Sequence, residues 1–115
     1  MSESLNGKTI LITGAARRLG RLFALACARA GADVVIHHGH SDEEAESARR
    51  EISGLGRRVW VFKADLSDSN QTRGLIPSIN ESTPLHALVN SAAIFESLTL
   101  VNTSLEDWQK HMAIN

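Results

Sequence analysis

The sequence predicts an α/β protein built on a doubly wound parallel sheet with helices on both faces, and three observations carry that prediction. Short β-branched and aliphatic runs alternate with longer amphipathic stretches from Lys8 to Val89, the rhythm of βαβ units. The runs are apolar at consecutive positions, as strands covered on both faces are. A glycine-bearing turn, Thr13-Gly14-Ala15-Ala16-Arg17-Arg18-Leu19-Gly20, joins the first run to the first amphipathic stretch.

Taken in order, Thr9 to Thr13 reads as a buried strand. Apolar residues then fall at Leu19, Leu22, Phe23, Ala26, Cys27 and Ala30, the spacing of one helix face. Gly31 stands where a helix C-terminus favours positive φ, and Val34, Val35 and Ile36 form a second strand. Ser41 with Glu44 three residues later has the capping-box pattern. Ala45, Ala48, Ile52 and Leu55 share a face of the helix that follows, and Gly54 and Gly56 end it. Val59 to Phe62 make a third strand. Ser67 to Ile79 reads as a helix despite Gly74 and Pro77. Pro84 precedes a fourth strand, Leu85 to Val89; after a loop, Ser104 with Asp107 opens a last helix containing Trp108 and Met112. Right-handed crossovers give the spatial order 3-2-1-4, with the ligand crevice between strands one and four. The expected architecture is a sheet truncated after about four strands, with strand four as an apolar edge.

Length and composition narrow the field. The 115 residues are 43% hydrophobic and 22% charged with net charge −1, which suits one globular domain over residues 1–115 and gives no electrostatic reason for a nucleic-acid or membrane partner. A single cysteine, Cys27, makes no internal disulfide and no multi-cysteine zinc site; on an apolar helix face it reads as core. Met1 to Gly7 lacks a signal-peptide layout, and no apolar run approaches the about 18–20 residues of a membrane span. The expected setting is cytoplasmic.

The turn has the chemistry of a dinucleotide site. Gly14 allows a sharp reversal after the strand, and Gly20 allows close helix packing or phosphate approach. The helix N-terminus offers N–H groups and partial positive charge to a pyrophosphate. The sequence lacks G-x-x-x-x-G-K-[ST], which disfavours a P-loop enzyme. Strand two ends in His37-His38-Gly39-His40-Ser41, and the first acidic residue is Asp42. A carboxylate accepting from a ribose 2′-OH is therefore missing, whereas Arg18 and Arg17 suit a 2′-phosphate, with Ser41, His38 or His40 as further donors. NADP(H) is the expected cofactor. The alternatives are that Arg17 and Arg18 are solvated charges and Ser41 a plain helix cap. Adjacent histidines at a strand end point opposite ways, so no metal site is expected. Asp65 suits either adenine contact or a helix cap, and Asn90 suits either ligand contact or an amide tying neighbouring strands. Phe95 suits either stacking on a flat substrate or packing.

Thr13-Gly14-x-x-x-Arg18-x-Gly20 resembles the T-G-x-x-x-G-x-G turn of short-chain dehydrogenases/reductases, with Arg18 in place of the middle glycine. Asp65-Leu66 resembles that family's adenine-contacting pair, Asn90-Ser91-Ala92-Ala93 its N-N-A-G motif, and Trp108 to Asn115 the helix ending in its active-site asparagine. Arg18, the His37–Ser41 segment and Asn90-Ser91-Ala92-Ala93-Ile94-Phe95 look most like the pteridine-reductase branch. The chain departs from that branch at Ala93, Gly39, His40 and Ser91.

The resemblance implies a Rossmann-like fold and an NADP(H)-dependent oxidoreductase acting on a small molecule, a pteridine or related carbonyl or imine. It implies cofactor contacts at Gly14, Arg17, Arg18, Leu19, Gly20, His37, His38, His40, Ser41, Asp65, Leu66, Asn90, Ser91 and Ala92, substrate contact at Phe95 and a catalytic Asn115. It also implies a homo-oligomer, a tetramer by family habit. The family's Ser and Tyr-x-x-x-Lys fall outside residues 1–115, which contain no tyrosine. The expectation is thus the N-terminal, cofactor-binding portion of a longer reductase, inactive alone. The alternative is a non-catalytic dinucleotide-binding or interaction module.

Overall fold

The computed structural model describes residues 4–92. In order these form β1 (Thr9–Thr13), α1 (Arg18–Arg29), β2 (Asp33–His38), α2 (Asp42–Ser53), β3 (Val59–Lys63), α3 (Ser69–Ser82) and β4 (Ala87–Asn90). The strands form one four-stranded sheet in the order β3-β2-β1-β4. All three pairings are parallel. The predicted order and the Rossmann-like architecture are both found.

The consecutive apolar residues of the strands divide between two cores, because successive side chains leave a strand on opposite faces. Ile10, Ile12, Val34 and Ile36 join Ala24, Leu25 and Ala28 of α1 and Ala45, Ala48 and Ile52 of α2. Leu11 and Val35 join Leu75 and Ile79 of α3 on the other face. Each fully buried aliphatic side chain contributes about 1.5–3 kcal/mol through removal from water. Two covered faces are therefore what a run such as Ile10-Leu11-Ile12 requires.

Helix α1 departs from the expected stripe. It buries Gly20, Ala24, Leu25 and Ala28, while Leu19, Leu22 and Phe23 are 59%, 62% and 40% exposed. The small residues Gly20, Ala24 and Ala28 let the helix backbone lie close on the sheet, and the larger side chains ride on the outer face. In α2 the buried set is Ala45, Ala48 and Ile52; Leu55, past the end of the helix, is exposed instead.

Local boundaries also shift. Ser41 occupies the N-cap position of α2 without a side-chain capping bond, so the predicted capping box does not form. Asp68, not Asp65, caps α3 by accepting from the N–H groups of Asn70 and Gln71. Pro77 lies inside α3, where it removes one intrahelical donor while Leu75 and Ile79 anchor the apolar face. The fourth strand begins two residues later than expected, at Ala87. Pairing nevertheless starts with the His86 N–H donating to the Thr9 carbonyl at 2.9 Å. Among the described residues β4 is a sheet edge, with Leu88 57% exposed. The last predicted helix lies outside the described residues.

The inverted stripe of α1 is testable by thermal or denaturant unfolding. Leu25→Ala should cost about 2–4 kcal/mol by removing a buried side chain. Leu22→Ala should change stability by no more than about 0.5 kcal/mol. Equal losses would mean that the outer face is packed.

Candidate functional site

The carboxyl ends of the strands meet at one edge of the sheet. Thr13 pairs with Asn90 across β1 and β4, and His37 and His38 pair with Phe62 and Lys63 across β2 and β3. Gly14, His37, Ala64 and Ser91 therefore gather at the carboxyl ends of the strands, with the topological switch lying between β1 and β4, where ligands of open α/β sheets bind.

Gly14 has φ +62°, and a Cβ there would sit 2.9 Å from the Ala92 Cα. Gly20 is tighter: its missing Cβ would fall 2.1 Å from the Gly14 carbonyl oxygen and 3.1 Å from the Ser91 Oγ. The first turn of α1 thus rests directly on the β1–α1 turn and on the segment after β4.

The hydroxyl of Thr13 ties these pieces together. It donates to Asn90 Oδ1 at 2.9 Å and accepts from the N–H groups of Ser91 at 2.9 Å and Ala92 at 3.0 Å. One donation and two acceptances use the full capacity of a hydroxyl. Thr13 was prominent in the sequence only as a turn residue; its partners lie across the sheet, so nothing local marked this role. Asn90 ties the strands as one of its two readings required, although the residue is exposed.

His37 is 2% exposed, and both ring nitrogens are engaged by the backbone. Nδ1 accepts from the Gly14 N–H at 3.1 Å. Nε2 lies 2.8 Å from the Ala64 carbonyl oxygen, which can only accept, so Nε2 carries the proton. The His37 carbonyl also accepts from the Ala15 N–H at 2.9 Å. No polar ring atom is left over, and His37 braces the turn. The Gly14 and Ala15 N–H groups are likewise spent. The first intrahelical donor of α1 is Arg21 N–H, to the Arg17 carbonyl at 3.3 Å. The N–H groups of Arg18, Leu19 and Gly20 precede it, in the first turn where helix donors lack intrahelical partners.

His38 is also buried, at 4%. Its Nδ1 accepts from the Ser41 N–H at 3.2 Å, and its Nε2 lies 3.7 Å from Asp42 Oδ1. Adjacent rings thus serve opposite directions, as strand alternation requires. Asp42 in turn meets Lys63 Nζ at 3.3 Å. Burial pushes the pKa of both histidines below the ordinary imidazole range, more than the Ala64 carbonyl and the Asp42 carboxylate pull them up. His40 is exposed and Ser41 half-buried. No group of three or more metal-ligating side chains occurs among the described residues.

Arg17 and Arg18 are exposed at the start of α1. Arg18 has φ +56° and is the one non-glycine residue with positive φ among the described residues. The turn therefore keeps at this position the left-handed backbone that favours glycine, and an arginine occupies it. Asp65 Oδ1 accepts from the Ser67 N–H and Oγ at 2.9 and 2.6 Å, an Asx turn rather than a helix cap. Leu66 packs against the α3-side core. Phe95 and Asn115, with Ala93 and Ile94, lie outside the described residues.

The sequence pattern of the short chain dehydrogenases matches residues 8–115. The chain belongs to the short-chain dehydrogenase family. It is 37% identical over 120 residues to a short-chain type dehydrogenase/reductase of Picea abies, covering 96% of this chain and 44% of that protein. It is 32% identical over 124 residues to a chloroplastic NADPH-dependent aldehyde reductase-like protein of Arabidopsis thaliana, covering 96% and 46%. Among solved structures, a short chain dehydrogenase from Burkholderia cenocepacia in complex with NADP superposes with TM-score 0.90 at 34% identity, covering 96% of this chain and 45% of that one. A blue fluorescent protein from a metagenomic library in complex with NADPH gives TM-score 0.89 at 31% identity, covering 96% and 46%. The chain spans about half the length of the short-chain dehydrogenase relatives it matches.

Two outcomes test this geometry. Gly20→Ala drives a methyl into the Gly14 carbonyl and should cost about 1–3 kcal/mol or more. Gly74→Ala, with nothing within 4 Å of the added Cβ, should be neutral or stabilise the helix by up to about 1 kcal/mol. Differential unfolding of the two variants checks the contrast. The histidines predict a pH slope as well. With folded pKa values below the ordinary 6.5, the unfolded chain binds more protons. Stability should then be constant above pH 7 from this source and fall as pH drops below about 6.5. Melting temperatures from pH 5 to 8 read this, and His37→Asn should shallow the slope.

Proposed function

We propose that the chain is the cofactor-binding domain, residues 1–115, of an NADP(H)-dependent oxidoreductase. The observation that carries this reading is the pairing of an exposed Arg18, at the left-handed start of α1, with a β2 end that offers no carboxylate before Asp42. Asp42 is itself occupied by Lys63. A guanidinium suits a 2′-phosphate in charge and fork geometry, and a free carboxylate would repel it. The NADP and NADPH complexes of the two solved relatives and the NADPH dependence of the Arabidopsis relative support the same choice.

In this reading the N–H groups of Arg18, Leu19 and Gly20 hold the pyrophosphate at the helix N-terminus. Arg18, with Arg17, His40 and Ser41, holds the 2′-phosphate. Asp65 and Leu66 border the adenine, and Asn90, Ser91 and Ala92 border the nicotinamide ribose. Bound NADP(H) would supply or accept the hydride. Thr13 and the two glycines keep the pyrophosphate turn and the segment after β4 in contact, which fixes the two ends of the cofactor relative to each other.

The substrate is a small carbonyl or imine compound. A pteridine is the finer reading and rests on the resemblance at Arg18 and along His37 to Ser41, with Phe95 as the stacking residue and Asn115 in the proton relay. The same resemblance supports a cytoplasmic homo-oligomer. No helix among the described residues is long and apolar enough to cross a membrane.

Titration with NADPH and NADH, followed by fluorescence, tests the cofactor. NADPH should bind about tenfold tighter or better, and Arg18→Gly should remove about tenfold of NADPH affinity while leaving NADH unchanged, the worth of a charge-assisted contact. The same variant should raise stability by about 1 kcal/mol, because glycine takes φ +56° without the cost borne by arginine. Equal binding of both cofactors by the unmodified chain overturns the 2′-phosphate assignment.

A further inference from the structure

The ring of His37 is a buried imidazole placed between the pyrophosphate turn and the end of β3, and its chemistry goes beyond bracing. Nδ1 must be unprotonated to accept from the Gly14 N–H, and Nε2 must be protonated to donate to the Ala64 carbonyl. Only one neutral tautomer satisfies both partners. A second proton would enter at Nδ1 and point at the Gly14 N–H, turning an acceptor–donor contact into a donor–donor one. Gly14 has little room to absorb this, since a Cβ on it would meet Ala92 at 2.9 Å and one on Gly20 would meet its carbonyl oxygen at 2.1 Å. We propose that His37 is a positioning residue for cofactor binding: the neutral ring locks the Gly14 turn in its binding conformation, and protonation of the ring releases that turn and weakens NADP(H) affinity at acid pH.

The groups around the ring leave the tautomer in control. β1 and the turn contribute Arg17 and Arg18, both exposed. On β2 itself His38 is directed to Ser41. From β3 and α2, Lys63 and Asp42 pair with each other at 3.3 Å. After β3, Asp65 engages Ser67. From α3, Asp68 caps its own helix, and Arg73 and Glu81 are exposed. Burial and the Ala64 carbonyl act on the ring's proton balance, with burial the larger.

The proposal rests on the NADP(H) reading, and two substitutions separate the ring's two bonds. In His37→Asn, Oδ1 stands in for Nδ1, keeps an acceptor for Gly14 and does not titrate. In His37→Gln, Nε2 stands in for the ring Nε2, keeps the donor for Ala64 and leaves Gly14 without an acceptor. NADPH dissociation constants are measured from pH 5 to 8 for the unmodified chain and both variants. At pH 7.5 His37→Asn should bind within about threefold of the unmodified chain, and His37→Gln should bind roughly tenfold more weakly. The ratio of unmodified to His37→Asn affinity should fall as pH drops; the 2′-phosphate titrates in both proteins and cancels. Ring ¹⁵N shifts of the cofactor-free chain give a reading independent of binding. They should show Nε2–H at pH 7.5, and ring protonation at acid pH should coincide with a shift of the Gly14 amide.

A ratio flat with pH, a His37→Gln variant that binds like the unmodified chain, or an Nδ1–H tautomer each overturns the proposal. Failure of the unmodified chain to bind NADPH, with the tautomer as described, overturns the function reading and the positioning role with it. A failure of the variants to fold leaves the ring shifts and the Gly14 amide of the unmodified chain to decide.

Discussion

The contact between Gly20 and the Gly14 carbonyl governs the arrangement of the whole strand-end edge. A Cβ at position 20 would overlap that oxygen at 2.1 Å, so the helix and the turn touch backbone to backbone. The closeness has consequences in both directions. Along α1, Ala24 and Ala28 continue the line of small buried residues, and the helix axis is brought down onto β1 and β2. Across the sheet, the turn is pushed against Ala92, which lets one threonine hydroxyl reach both the Asn90 side chain and the two N–H groups after it. A wider turn would leave those half-buried donors without this acceptor.

That geometry also explains an arginine in left-handed backbone. The left-handed conformation costs an L-residue roughly 1–2 kcal/mol, and the turn imposes it at position 18 because the chain has to rise from Gly14 and still bring Gly20 back onto its carbonyl. Glycine would meet the demand without penalty. Arginine meets it with strain, and holds an exposed cation beside the first free N–H groups of the helix. Strain retained at such a place is expected when the side chain has work that glycine lacks. In the proposed function that work is recognition of a phosphate.

Much of this was legible in the sequence, and what was not shares a cause. The strand order, the parallel pairings and the position of the turn follow from run length, apolar continuity and the hand of crossovers, all of which are local or generic. The apolar face of α1 was misjudged because periodicity weighs side chains by hydrophobicity. Leu19, Leu22 and Phe23 outweigh Gly20, Ala24 and Ala28 on that measure, yet only the small set permits the approach that the Gly14 carbonyl dictates. The capping box at Ser41 failed for a related reason: His38, three residues back, reaches the Ser41 N–H first, and a buried imidazole is not part of any capping signature. Thr13 shows the same limit, since its three partners lie 77 to 79 residues away.

The histidine pair shows how one stretch of sequence can support two chemistries that only packing separates. Read along the chain, His38 is a donor beside a phosphate site and His37 a cofactor contact next to it. Strand alternation sends them to opposite faces, and burial then decides their charge: a ring enclosed to 2% or 4% exposure with one backbone N–H to accept is more stable neutral than charged. A neutral ring is a poor phosphate ligand and a good backbone acceptor. In the proposed function the positive charge at the 2′-phosphate comes instead from residues that stay in solvent, and Arg18 and Arg17 are cations that the turn itself exposes. Division of labour between a neutral buried brace and an exposed cation follows from depth alone, with the same few residues supplying both.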